Sequence, residues 1–211
     1  MPERDGGPLS GRRWTRTVTG RPEHSGNDYD RTVSPAATPA LELVRRAGVA
    51  HRVHAYNAPD RHGRQRDDRP SYGTDAAIAL GVAPARVFKT LVVTVDDAIT
   101  LVVVPVDREL DLKRLATACS ARRAALADPA AAERATGQVI GGISPLAPRR
   151  PLAVIVDASA LDHETVFVSA GRRGFQIELA PRDLVRLSHA RSARVTRDHG
   201  PGDSDGSGLA Y

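Results

Sequence analysis

The chain has 211 residues, enough for one well-buried core with appendages, and no stretch approaches the roughly 20 apolar residues that span a bilayer. Its formal net charge of +5 admits an anionic partner, while the single cysteine, Cys119, excludes an internal disulfide and fits a reducing compartment. With no apolar run of signal-peptide length near Met1, a cytoplasmic protein without membrane attachment is expected.

Residues 1–37 are rich in Gly, Pro, Ser, Arg and Asp without apolar periodicity, which predicts a disordered N-terminal extension. Residues 199–211 share that makeup and read as a disordered tail, leaving 38–198 as the folded domain. That domain opens with TPALELVRRAGV, a short helix with Thr38 as N-cap, Pro39 in first position, Leu41 and Val44 on one face and Gly48 as its stop. HRVHAY is a brief strand, and a polar loop then leads to the helix GTDAAIALG.

Two long apolar strands follow, at about 86–95 and 98–106, joined by an Asp-Asp turn; continuous apolar runs of that kind are buried on both faces and belong at the centre of a sheet. ELDLKRLATAC is a helix with Leu112 and Leu115 one turn apart, RAALAD a short strand, and PAAAERATG a helix begun by Pro129. After the turn VIGGISPLAP come the strand LAVIVDA, a hairpin of ETVFVSA and GFQIEL joined through GRRG, the helix APRDLVRLSH and a last strand in SARVTR. The fold class this predicts is mixed α/β: a curled mixed sheet closing toward a barrel, flanked by helices.

Most of the familiar chemical signatures are missing. His51 and His54 stand three apart in a strand, where they point to opposite faces, and no Cys or acidic cluster completes a metal set. Cys119 ends a helix among small residues with nothing nearby to lower its pKa, and there is no nucleophile elbow, P-loop or dinucleotide fingerprint. No cofactor is expected.

Lys89 is the sharpest signal. Lysine occupies only positions 89 and 113, so nearly all of the 30 cationic residues are arginine, yet one lysine sits inside an apolar strand. A buried ammonium needs a partner, a route to water or a cleft, and residue chemistry leaves a structural ion pair and a site lysine as equal readings. Gly141 and Gly142 either make a bend or let main-chain N–H groups approach a ligand; Ser169, Gly171 and Gly174 make an ordinary hairpin turn or one that offers a hydroxyl and two arginines.

Taken in order, TPALELVRRAGV, HAY, RVFKTLVV, LDLKRLA, ATGQVIGGISPL and VSAGRRGFQIEL resemble the YbaK family of aminoacyl-tRNA deacylases over nearly all of 38–198. The similarity is to the Cys-tRNA(Pro) deacylases, free-standing relatives of the editing domain of prolyl-tRNA synthetase. It implies trans-editing: hydrolysis of the ester between a wrong amino acid and tRNA(Pro), with mischarged tRNA as partner and prolyl-tRNA synthetase as a second one. It implies Lys89, Gly141 and Gly142 as the catalytic residues, and Tyr56, Thr90, Ile143, Ser144, Ser169, Gly171 and Arg173 as substrate-binding residues.

The resemblance also implies that the substrate's own thiol attacks its carbonyl, so that the protein need only orient the ester and stabilise charge. Two positions depart from the family pattern: Gln176 stands where Asp is frequent, and Ala147 replaces the usual glycine after GGISPL. The competing readings are an Ala-tRNA(Pro) deacylase using activated water, a non-catalytic tRNA-binding module, and a structural protein in which Lys89 is an ion pair. Aromatics at 4% of residues count against a stacking platform for single strands.

Overall fold

The computed structural model describes residues 37–57 and 72–197. Apart from Ala37, the expected N-terminal extension and tail lie outside the described residues, as does nearly all of the polar loop after Tyr56. Five helices are seen there: α1 (Pro39–Arg46), α2 (Tyr72–Leu80), α3 (Leu112–Ala118), α4 (Pro129–Thr136) and α5 (Pro181–Leu187). The strands are β1 (His51–Ala55), β2 (Val87–Val95), β3 (Ala98–Pro105), β4 (Ala124–Leu126), β5 (Ala153–Asp157), β6 (Val166–Ser169), β7 (Phe175–Leu179) and β8 (Arg191–Ala193).

The eight strands form one sheet in the order β1-β7-β6-β2-β3-β5-β8, with β4 added to the side of β2. The β2–β3 hairpin lies in the middle, as its continuous apolar sequence predicts, and hydrophobic clusters cover both of its faces. One face carries Phe88, Val92, Leu101 and Val103 beneath Leu41 and Val44 of α1, Ala132 of α4 and Leu184 of α5. On the other face Val93, Val102 and Val104 pack under Leu115 of α3, while Ala76 and Ala77 of α2 cover Val87, Val106 and Phe167. Each valine or leucine so enclosed contributes on the order of 1.5–3 kcal/mol.

Parallel pairings (β2 with β6, β3 with β5, β5 with β8) stand beside antiparallel ones (β1 with β7, β2 with β3 and β4, β6 with β7), so the sheet is mixed. The end strands β1 and β8 do not pair with each other among the described residues. Helix ends follow the sequence closely. Thr38 accepts the Leu41 N–H at 3.2 Å and donates its hydroxyl proton to the Ala170 carbonyl at 2.5 Å, which ties α1 to the end of β6.

The last strand is shorter than SARVTR suggests. The N–H groups of Val195 and Thr196 donate to Asp157 Oδ2 at 2.9 and 3.1 Å, so a side chain replaces the strand partner and the ladder stops at Ala193. RAALAD likewise contracts to the three residues of β4, which pair Val93–Val95 of β2.

Candidate active site

Strand β2 has a different neighbour on each part of one edge. Val87 and Phe88 pair β6, whereas Val93–Val95 pair β4. Between the two no strand lies against β2 among the described residues. The hydrogen bonds show which groups face this gap: Val106 N–H donates to Val87 O at 2.8 Å across the β2–β3 ladder, and Ala127 N–H donates to Val92 O at 2.9 Å on the opposite edge. Alternation then directs the main chain of Lys89 toward β3 and that of Thr90 into the gap.

A cleft of about 350 Å³ opens here. It is lined by Lys89 and Thr90, by Gly73 and Thr74 from the first turn of α2, by Leu126, Ala127 and Ala132, by Ile140, Gly141 and Ile143, and by Ser169 and Gln176. The Lys89 and Thr90 side chains point to opposite faces of β2, and the main chain of Thr90 faces the gap at which the cleft opens. The first turn of α2 comes very close: a Cβ on Gly73 would stand 2.3 Å from Val106 Cγ1 and 3.9 Å from Lys89 Cβ.

Lys89 is half-buried and has no carboxylate within ion-pair distance among the described residues; its one hydrogen bond is a long contact from Nζ to Val106 O at 3.4 Å. Burial pulls its pKa below the usual 10.5, against the weaker pull of the Glu109 and Asp107 charges in the other direction. Glu109 is itself engaged by Arg197 at 2.7 Å.

The turn bearing the paired glycines is held from two sides. Gly141 adopts φ 82°, a left-handed conformation that glycine enters without steric cost. Gly142 meets the β6–β7 turn so closely that a Cβ there would lie 2.9 Å from Arg173 N, and its own N–H closes onto Val139 O at 2.9 Å. Ser169 Oγ donates to Gly142 O at 2.8 Å and accepts from Gly171 N–H at 3.2 Å, while Arg173 Nε donates to Ile140 O at 2.7 Å.

The cleft therefore brings together Lys89, Thr90, Gly141, Ile143 and Ser169. The other expected site residues stand behind or beside it. Gly142, Gly171 and Arg173 fasten the two turns to each other. Ser144 is fully buried, its N–H donating to Gln138 Oε1 at 2.6 Å and its hydroxyl accepting from Leu146 N–H at 3.2 Å. Tyr56 packs beside the cluster of Val87, Val106 and Phe167, and its N–H donates to Gly174 O at 2.9 Å.

Sequence reasoning missed Gly73, Thr74 and Gln176 as lining residues. Only the last had a signal, as a departure from the family pattern. Thr90 Oγ1 and Gln176 Oε1 are both buried with no hydrogen-bond partner among the described residues.

His51 and His54 separate as strand alternation requires. His51 Nδ1 lies 2.8 Å from Val49 O, and His54 Nε2 lies 2.9 Å from Glu178 Oε2, its ring 5.2 Å from that of Phe167. Among the described residues no group of three His, Cys, Asp or Glu side chains comes together, and no helix is long and apolar enough to cross a membrane.

Residues 71–187 match the family model described as the aminoacyl-tRNA editing domain. A protein of Enterococcus faecalis, named provisionally as the Cys-tRNA(Pro)/Cys-tRNA(Cys) deacylase EbsC, is 36% identical over 121 residues, covering 57% of this chain and 74% of the relative. YwhH of Bacillus subtilis, named only as an uncharacterized protein, is 30% identical over 117 residues, 55% of this chain and 74% of its own. A solved structure described provisionally as a trans-editing enzyme for prolyl-tRNA synthetase superposes with a TM-score of 0.66 at 23% identity, covering 79% of this chain and all of the other, a likeness of fold. The chain belongs to the aminoacyl-tRNA editing domain family, the YbaK-like deacylases. It is an aminoacyl-tRNA deacylase, a carboxylic ester hydrolase whose substrate is a charged tRNA.

Proposed function

We propose that this deacylase removes cysteine from mischarged tRNA(Pro), correcting in trans an error of prolyl-tRNA synthetase, and that the substrate's own thiol begins the reaction. The observation that carries this reading is the makeup of the cleft: its described lining holds no Cys, His, Asp or Glu, and the Ser169 hydroxyl is already engaged with Gly142 and Gly171. A described lining that offers no Cys, His or carboxylate as nucleophile or base suits a substrate that brings its own nucleophile. The name carried by the Enterococcus faecalis relative agrees with it.

In the proposed step the cysteinyl sulfur bonds to the ester carbonyl carbon, the C–O bond to the terminal ribose breaks, and the thiol proton passes to the ribose oxygen. Water then opens the cyclic thioester to free cysteine. Holding sulfur and carbonyl in one small cleft supplies the proximity that makes intramolecular attack fast. Lys89 and the main chain around Gly141 face the carbonyl and its developing charge, with Gly142 and Ser169 fixing that turn in place. Thr90 and Ile143 contact the aminoacyl group. Tyr56, Ser144, Gly171 and Arg173 support the walls without touching it.

A synthetase pocket cannot strongly reject an amino acid of nearly the right volume, since such differences are worth only ~1–3 kcal/mol, and a second sieve is the remedy. The test is a panel of tRNA(Pro) charged with cysteine, serine or alanine, with loss of the aminoacyl ester followed over time. Cys-tRNA(Pro) should be cleaved at least about a hundredfold faster than the serine form, because a hydroxyl is far less ionised than a thiol near neutral pH. Comparable rates, or a preference for alanine, would transfer the protein to the alanine-editing, water-activating alternative. Cys119 lies outside the cleft lining, and Cys119→Ala should leave the rates unchanged.

A further inference from the structure

A cleft of about 350 Å³ holds a group of small-molecule size, so only the aminoacylated end of a charged tRNA enters it and the phosphate chain must leave over the rim. The rim differs in charge from side to side. On the α2 side, Asp75 follows the lining residues Gly73 and Thr74, and β4 contributes only Ala124, Ala125 and Leu126. The segment 137–142, which ends at the paired glycines, is instead flanked by arginines on both sides.

Arg149 lies on one flank. Its N–H donates to Thr136 O at 3.0 Å, and its side chain runs along Gly137, where a Cβ would stand 3.0 Å from Arg149 Cβ and 3.1 Å from Cδ. The β6–β7 turn lies on the other flank: a Cβ on Gly142 would stand 3.1 Å from Arg172 C, and the Arg172 guanidinium carbon sits 5.5 Å from the centre of the Phe175 ring. Gly137 and Gly142 are five residues apart, which puts the two anchor points within about 18 Å of each other.

Arg149 and Arg172 are exposed and have no carboxylate within ion-pair distance among the described residues. Arg150 and Arg173 beside them are exposed as well, and Glu133, on the α4 flank of the segment, accepts the Ile140 N–H at 3.0 Å. Neither Arg149 nor Arg172 lines the cleft, so neither reaches the ester.

We infer that Arg149 and Arg172 bind the phosphates of the single-stranded 3′ end of the charged tRNA, which thus leaves the cleft across the paired-glycine turn and not past α2. This rests on the reading that the aminoacyl ester occupies the cleft, and it is independent of which amino acid the ester carries. A guanidinium presents parallel N–H donors that match two phosphate oxygens. Because both side chains already lie against the protein, on Gly137 and on Phe175, binding costs them less conformational freedom than it would cost free side chains.

The experiment uses the full chain and three cysteine esters: of adenosine, which has no phosphate; of the trinucleotide CCA, which has the single strand without the stem; and of tRNA(Pro). At low salt, wild type should cleave the trinucleotide ester with a higher kcat/KM than the adenosine ester. Arg149→Gln and Arg172→Gln should each lower kcat/KM about threefold or more on the trinucleotide and tRNA esters, by the same factor on both. The adenosine ester should be cleaved at the wild-type rate, which also reports that the variants are folded. On the trinucleotide ester, the slope of log kcat/KM against log salt should become shallower by about 0.7 in each variant. Arg194→Gln, the same charge change beside β8 at the end of the sheet, should leave the trinucleotide rate unchanged.

The inference is overturned by equal wild-type kcat/KM on the adenosine and trinucleotide esters, by a deficit in Arg149→Gln and Arg172→Gln no larger than that in Arg194→Gln, by an unchanged salt slope, or by an equal loss on the adenosine ester. A deficit confined to the tRNA ester overturns it too, by moving the contact to the stem. Failure of the cysteine-specific reading would appear in the hydrolysis panel as a preference for another amino acid. The three esters are then made with that amino acid and the same differences are expected, so the two failures are distinguishable.

Discussion

Ser169 and Gly142 are 27 residues apart in the chain, yet the Ser169 hydroxyl donates to the Gly142 carbonyl at 2.8 Å and makes the paired-glycine turn and the β6–β7 hairpin one unit. A serine at the end of a buried strand is thus a strut for the loop that lines the cleft. Ser169→Ala would leave the buried Gly142 carbonyl without that donor and should cost about 1–3 kcal/mol of stability. The turnover number for deacylation should fall along with the melting temperature, whereas a direct substrate contact alone would change kinetics and spare stability.

Lys89→Met should separate activity from stability in the opposite sense. In the proposed mechanism Lys89 faces the developing charge, and removing that cation should lower kcat/KM by about 10²–10³. The protein itself should not be weakened, because burial holds the Lys89 pKa below its usual 10.5 and no carboxylate among the described residues forms an ion pair with it. The native state therefore binds this proton less readily than the unfolded chain. Stability should rise with pH between the lowered folded value and the ordinary unfolded one, and this increment should vanish in Lys89→Met when urea midpoints are compared across that range.

Asp157 should set the acid limit of the fold. Burial pushes its carboxyl up, but hydrogen bonds from the Ser159 hydroxyl, the Val195 and Ser159 N–H groups and the Thr196 hydroxyl outweigh that and hold it below the usual 3.8. A carboxyl with a lowered folded pKa stabilises the protein above its unfolded value and loses that contribution as pH falls through the folded one. Wild type should lose stability steeply below about pH 4, near the unfolded Asp value. Asp157→Ala should lose about 1–3 kcal/mol at pH 7, because it leaves the buried Val195 and Thr196 N–H groups without their acceptor, with a flatter dependence below pH 4, in denaturant titrations at each pH.

Ala147 carries a backbone conformation that suits a different residue. Its φ of 52° lies in the left-handed region, at the position where the family pattern has glycine. That conformation costs an alanine roughly 1–2 kcal/mol, against about 0.5–1 kcal/mol of extra chain entropy lost by a glycine. Ala147→Gly should therefore raise stability by roughly 0.5–1 kcal/mol, read as an increased urea midpoint with unchanged slope. Deacylation rates should not change, since Ala147 does not line the cleft.

The sequence by itself determined the elements and their rough placement. Thr38 and Pro39 mark the start of α1, the continuous apolar runs of β2 and β3 place that hairpin at the sheet centre, and Lys89 stands out because an ammonium in such a run demands an explanation. These signals are local: capping, periodicity and burial cost are properties of residues a few positions apart. Tertiary structure alone decided where the cleft opens, because the part of the β2 edge that lacks a strand partner among the described residues depends on where β6 ends its pairing at Phe88 and where β4 begins at Val93. It also decided that Ser169 is a strut, that Gln176 lines the cleft while its side-chain oxygen is buried without a partner among the described residues, and that Asp157 ends the last strand. Those roles arise from pairings between segments tens of residues apart, and a strand's own alternation cannot reveal which neighbour will be missing beside it.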